Sequence, residues 1–193
     1  MHLAPCGPVP TLGRMKPLTK KHSKFLSLIL RHAPETANVR LDAHGWVSVP
    51  ELLGRLKAKD SQWSLAGLQD LVASSEKQRF ELSADASRIR ARQGHSLRVD
   101  LELEPQQPPE LLFHGTVPKF IESIRAQGLL KGSRQHVHLS ADVETARKVG
   151  QRRGKAVILH VRSRDLCQSG VPFFLSSNGV WLVDHVPAAF ILG

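Results

Sequence analysis

Four short stretches bring histidine together with arginine, serine or threonine: LRHAP at 30–34, RARQGHS at 90–96, FHGT at 113–116 and RQHVHLS at 134–140. An excess of guanidinium beside imidazole suits phosphate. The planar forks hold phosphate oxygens bidentately and offset charge that develops in a phosphoryl-transfer transition state. Other chemistries fit less well. His136 and His138 stand two apart, so on a strand they would point the same way and could bind a metal, but no Asp, Glu or Cys motif offers clear further ligands. There is no G-x-S-x-G and no obvious acid to orient a histidine, which argues against a serine hydrolase. Neither G-x-G-x-x-G nor G-x-x-x-x-G-K-[ST] occurs, so the glycine-loop routes to a dinucleotide or triphosphate are unsupported. Each cluster also has a plainer reading. Arg31 and His32 can cap a helix C-terminus, His114 can serve a Gly-Thr turn, and Asn178-Gly179 is a hairpin signal whatever the function.

The elements that must position these groups fall into two halves. Thr19 can cap a helix whose apolar positions Phe25, Leu26, Ile29 and Leu30 recur at helical spacing, and Pro34 ends it. LDAHGWVSV carries a His-Gly turn and a short extended run. A second helix begins at Pro50, and a third follows Ser64 with Leu65, Leu68, Leu71 and Val72 along one face. The period then falls to two: RFELS and RIRAR alternate around an Ala-Asp-Ala-Ser turn. Phe80, Leu82, Ile89 and Ala91 can face the helices, while Arg88, Arg90 and Arg92 share the other face, outward or into a cleft. Three helices followed by a hairpin outline a winged helix over residues 17–100.

LEPQQPPE, within residues 101–110, makes continued helix or sheet pairing unfavourable and reads as a Pro-rich linker. Residues 111–193 are strand-rich with two helices: LLFHGT, HVHLS, KAVILHV and VPFFLSSNGVWLV as strands, PKFIESIRAQ and DVETARKVGQRR as helices, the first stopped by Gly128. The mixed order predicts an α+β fold. Arg152, at the end of the second of these helices, has no expected role.

Bulk composition agrees with a phosphate partner. Lys+Arg 27 against Asp+Glu 17 gives a net charge of +10, which favours a polyanion, either nucleic acid or a phosphorylated ligand. Aromatics at 5% weigh against a base-stacking platform. Cys6 and Cys167 are too isolated for a disulfide framework or zinc set, which fits a reducing cytoplasm. The opening MHLAPCGPVPTLGRMK lacks the apolar run of a secretory signal, so residues 1–16 read as a flexible tail and either Met1 or Met15 could start the chain. No run reaches membrane-spanning length, and no obligate protein partner is evident.

Taken in order, SKFLSLILRHAP, DAHGWV, RFELSADASRIRARQGHS, LLFHGT, GLLKGSRQHVHLS and SSNGVWL resemble the RNA (tRNA) 2′-phosphotransferase family, from about Leu18 to the C-terminus. The resemblance implies an N-terminal winged-helix, RNA-binding lobe and a C-terminal ADP-ribosyltransferase-like, NAD-binding lobe, with the site between them. It implies NAD⁺ as a consumed co-substrate, no metal, and an RNA bearing an internal 2′-phosphate as partner. The phosphate would be ADP-ribosylated and then transesterified, giving 2′-OH RNA, nicotinamide and ADP-ribose 1″,2″-cyclic phosphate, the chemistry of tRNA splicing. Carried over by motif, the catalytic set falls on Arg31, His32, Arg90 and Arg134. His114, Gly115, Thr116, His138, Ser140 and Val180 would line the cofactor site, with Val180 where other ADP-ribosyltransferases carry Glu. Arg92, Gln93, Gly94, His95 and Ser96 would meet RNA or line the cleft. Gly132-Ser133 departs from the bulkier residues expected before Arg134. Two rivals remain at this stage: a basic winged-helix module that only binds nucleic acid, and an ADP-ribosyltransferase acting on protein or a terminal phosphate that stops after one step.

Overall fold

The computed structural model describes residues 17–193; Cys6, Met1, Met15 and the tail read over 1–16 lie outside the described residues. The chain is α+β, built on two separate hydrophobic cores.

Helix α1, Lys20–Arg31, starts at a capping box. Thr19 accepts from the Lys21 amide, and His22 Nδ1 accepts from the Thr19 amide at 2.9 Å. The far side of the His22 ring reaches Asp60 at 3.1 Å and packs edge-on against buried Trp63. Leu26, Ile29 and Leu30 are fully buried, and the helix ends at Arg31 because Pro34 opens a 3₁₀ turn, Pro34–Ala37. After the short strand β1, Val47–Ser48, helix α2 runs Val49–Lys57 with Ser48 as its cap and Pro50 in its first turn. Helix α3, Leu65–Ala73, is capped by Ser64. Its expected apolar face holds at Leu68 and Leu71, but Leu65, in the first turn, is 47% exposed. Strands β2, Phe80–Leu82, and β3, Arg88–Ala91, form the hairpin. β1 adds to it in the order β1-β3-β2, which buries Phe80, Ile89 and Ala91 on the helices.

The segment 101–110 is laid against the second core. Pro105 bridges to Phe174, the Gln106 amide donates to the Phe173 carbonyl at 2.8 Å, and Ser163 Oγ donates to the Pro109 carbonyl at 2.7 Å. Strand β4, Leu111–Thr116, follows, then helix α4, Ile121–Gln127, closed by Gly128 at φ 77°, and the short β5, Leu129–Leu130. Next come β6, Val137–Leu139, helix α5, Val143–Gly150, and β7, Val157–Arg162. The six-residue helix α6, Ser163–Gln168, has no side-chain cap and no sequence signal that flags it. Strands β8, Phe174–Leu175, and β9, Trp181–Val183, flank the Ser-Asn-Gly turn, and β10, His185–Val186, and β11, Ile191–Leu192, complete the chain.

The second half holds two three-stranded sheets, β11-β7-β4 and β6-β9-β8. They are joined where Phe113 and Ser140 exchange backbone hydrogen bonds of 2.9 and 2.8 Å. β10 pairs separately with β5. Helix α5 lies on β4 closely enough that a Cβ on Gly115 would stand 1.8 Å from the Ala146 carbonyl oxygen. Among the described residues no helix is long and apolar enough to cross a membrane.

Candidate active site

The C-terminal end of α1 is tied to the QGHS loop. The Ser96 amide donates to the Arg31 carbonyl at 3.0 Å, and Ser96 Oγ lies 3.0 Å from His32 Nδ1. Across this junction comes the other half of the chain. A Cβ added to Gly94, whose φ is +88°, would meet Arg31 Nη1 at 3.4 Å and His138 Cε1 at 3.6 Å. Glycine is favoured here by its left-handed backbone conformation, and the added carbon would make ordinary contact with a guanidinium of one half and an imidazole of the other. The Gln135 amide donates to the His95 carbonyl at 3.1 Å and Gln135 Nε2 donates to the Val99 carbonyl at 2.9 Å, which holds the RQHVHLS segment on this loop.

Within the junction the histidine tautomers are set by their partners. Arg134 Nη1 donates to His138 Nδ1 at 2.9 Å, so a neutral His138 carries its proton on Nε2. His114 Nδ1 donates to the His138 carbonyl at 3.1 Å, which leaves the His114 Nε2 lone pair free. Arg31 Nη2 donates to the Arg79 carbonyl at 3.4 Å, while among the described residues its buried Nε has no partner. His95 is 1% exposed, and among the described residues neither of its ring nitrogens has a partner.

Among the described residues this is a cluster of cations without carboxylate counter-ions. Burial, then Arg79 and Arg134, lowers the Arg31 pKa to about 10. Desolvation, then Arg153 and Arg152, lowers that of Arg134. Burial first, and the neighbouring arginines after it, lower His32, bring His95 down to about 4 and bring His138 down to about 3. Burial likewise lowers His114. His95 and His138 are thus neutral at physiological pH, while the guanidiniums remain charged. Among the described residues, no carboxylate lies within ion-pair distance of Arg31, Arg79 or Arg134. Such a site is poised for an anion, since an incoming phosphate would meet strong donors that need not first release a carboxylate.

Arg90 departs from the expectation that it joins this set. In the β2–β3 register it stands directly opposite Glu81, and its Nε donates to Glu81 Oε1 at 2.5 Å. Its guanidinium also lies 4.4 Å from the Trp46 ring centroid and 3.7 Å from Glu102. Arg92 is 3.7 Å from the same Glu81, and Arg88 is 3.9 Å from Asp42. The arginine face of the hairpin is therefore internally neutralised, not a free row, because Glu81 stands opposite Arg90 and Asp42 and Glu102 reach in from outside the hairpin. Of the histidines in the junction, Arg90 bears electrostatically on His95.

Other expected residues divide similarly. The absent side chain of Gly115 is accounted for by helix α5, and Thr116 is buried. Ser140 is engaged through its backbone with Phe113, and the Val180 amide donates to Ser176 Oγ at 3.0 Å within the Ser-Asn-Gly turn. Gln93 is half-buried beside Gly94. His136 packs toward Phe174 and does not pair with His138, and among the described residues no group of three or more His, Cys, Asp or Glu could hold a metal ion. Sequence reading missed Arg79, Arg152 and Arg153, whose charges bear on Arg31 or Arg134. Their only local signal was basicity; their convergence depends on how the two halves dock.

The fold and site define a two-core α+β protein whose halves meet in a cationic, histidine-lined junction. Its relatives narrow that class: the chain belongs to the RNA 2′-phosphotransferase, Tpt1 / KptA family, which it matches over residues 18–185. It is 49% identical over 173 residues to a probable RNA 2′-phosphotransferase of Acaryochloris marina, covering 90% of this chain and 96% of that one. Proteins of the same description from Hahella chejuensis and Agrobacterium fabrum are 50% and 51% identical, over 89% and 88% of this chain and 92% and 91% of theirs.

Proposed function

We propose that this protein is an NAD⁺-dependent RNA 2′-phosphotransferase. On this reading residues 17–100 are a winged-helix RNA-binding lobe, 111–193 an ADP-ribosyltransferase-like lobe joined through 101–110, and the enzyme works in the cytoplasm. The observation that carries it is the junction of Arg31, His32, Arg134 and His138, drawn from both halves and, among the described residues, without a carboxylate at ion-pair distance of its arginines. Family membership supports the substrate class.

The junction suits both substrates. Among the described residues Arg31 Nε is a buried donor without a partner and His114 Nε2 a free acceptor, as a phosphate and a ribose hydroxyl respectively require. NAD⁺ supplies the electrophilic ribose carbon. An oxygen of the RNA 2′-phosphate bonds to that carbon as the glycosidic bond to nicotinamide breaks. The adjacent ribose 2″-oxygen then bonds to phosphorus, the bond to the RNA 2′-oxygen breaks, and the hydroxyl proton passes to that oxygen. Arg31 and Arg134 hold the phosphate in line and offset its charge. Neutral His32 and His138 orient hydroxyls or hold a proton without adding a further fixed positive charge. Arg90 holds Glu81 through its Nε, which leaves its Nη2 as the donor it can offer a phosphate.

The test is incubation with a short RNA bearing one internal 2′-phosphate, with and without NAD⁺, reading RNA and small-molecule products. Phosphate loss only with NAD⁺, together with ADP-ribose cyclic phosphate, is the expected result. RNA binding with the phosphate left intact would overturn it.

A further inference from the structure

Lys77 and Arg79 precede the hairpin of the first half; Arg152 and Arg153 form the 3₁₀ turn that ends α5 in the second. The Ser-Asn-Gly turn docks against the first pair, since Asn178 Nδ2 donates to the Lys77 carbonyl at 3.0 Å and Ser177 Oγ donates to Glu81 at 3.4 Å. The Arg79 carbonyl in turn holds the Arg31 guanidinium. The second pair is fixed by the packing of α5 on β4, where Gly150 abuts Thr116. Lys77, Arg152 and Arg153 are exposed and Arg79 is half-buried. Among the described residues none of the four lies within ion-pair distance of a carboxylate. Lys77, Arg79 and Arg152 bear on one another electrostatically, and Arg153, beside Arg152, bears on Arg134. Burial, then Arg152 and Arg79, lowers the Lys77 pKa, with Glu76 pulling weakly the other way, and burial, then Arg152, lowers that of Arg79.

Holding like charges together across two halves is unfavourable unless an anion neutralises them. We propose that Lys77, Arg79, Arg152 and Arg153 form one composite surface that binds the sugar-phosphate backbone of an RNA strand leading into the Arg31–Arg134 junction. The inference rests on the reading above only in taking the polyanion to be RNA. An RNA strand fits better than the pyrophosphate of a dinucleotide for two reasons. Three of the four cations stand exposed, outside the buried junction, and a repeating phosphate chain can use cations from both halves at once. The hairpin arginines, by contrast, already have Glu81, Glu102 and Asp42 as partners.

The test measures binding, without turnover, of a 12-nucleotide RNA lacking any 2′-phosphate as a function of salt. It compares wild type with Lys77→Gln/Arg152→Gln/Arg153→Gln; Arg79 is left in place because its carbonyl carries Arg31. At about 0.7 of log-log salt slope per single-strand phosphate contact, the variant's slope should flatten by about two, with affinity at low salt falling at least tenfold. The charge-conserving variant Lys77→Arg/Arg152→Lys/Arg153→Lys should retain the wild-type slope, which separates charge from folding. An unchanged slope in the glutamine variant overturns the proposal. So does a loss of NAD⁺ affinity as large as the loss for RNA, which would assign these cations to the pyrophosphate. If wild type never removes a 2′-phosphate, the functional reading falls while the salt slope still decides this surface.

Discussion

Arg134 touches the chemistry of the junction twice, as a cation near Arg31 and as the donor that fixes the His138 tautomer. Replacing it with alanine should cut turnover of 2′-phosphorylated RNA by at least 100-fold, on the order of the loss for a preorganised donor, with accumulation of an ADP-ribosylated phosphate if the second step is the slower. Arg125→Ala, on exposed α4, should match wild type in the same gel assay. Arg152 is not a neutral control, because it stands in the electrostatic reach of Arg134 and Lys77. His95 yields a prediction about acid. Its pKa falls from 6.5 to about 4 on folding, so between those values the unfolded chain binds more protons than the folded one. Its neutral form is compatible with the fold above the window, and stability is lost as pH drops through it. His95→Gln should flatten the dependence of the denaturation midpoint on pH between about 6.5 and 4. The clusters around Arg31, His114 and Arg134 were legible because their residue types are unusual side by side. The capture of Arg90 by Glu81 was not, since it needs the hairpin register as well as the hairpin.

Among the elements, those with local start signals were the readable ones. Thr19, Ser48 and Ser64 each place a side-chain oxygen on an early helix amide, and α1, α2 and α3 begin where these residues stand. Helix α6 escaped because it is short and uncapped by any side chain, so tertiary packing at buried Ser163 and Leu166 defines it. Two glycines test opposite rules. Gly115→Ala should destabilise by about 3 kcal/mol or more, because the new methyl collides with backbone of α5 that cannot rotate away. Gly54→Ala, on exposed α2 with nothing within 4 Å of the added carbon, should stabilise by about 0.5–1 kcal/mol. Chemical denaturation of the two variants reads both signs in one experiment.

At the scale of the molecule, the two cores are predictable from periodicity, but their mutual placement is not. No pattern within either half announces that Gly94 will sit between Arg31 and His138, or that Asn178 will reach Lys77. Among the described residues the resulting charge is uncompensated, so anions are expected to favour the folded state. Millimolar inorganic phosphate should raise the melting temperature, with stabilisation reaching about 2.7 kcal/mol at a hundredfold excess over its dissociation constant. Arg31→Ala/Arg134→Ala should remove most of that rise, as a thermal melt with and without phosphate would register. The strap at 101–110 has a different consequence, one for where the chain can be cut. Pro105, Gln106 and Pro109 complete hydrogen bonding of β8 and α6, so the second core owns residues that precede its first strand. A C-terminal fragment beginning near Glu104 should fold cooperatively, whereas one beginning at Leu111 leaves the Phe173 carbonyl and Ser163 hydroxyl unpartnered and should expose its core to protease.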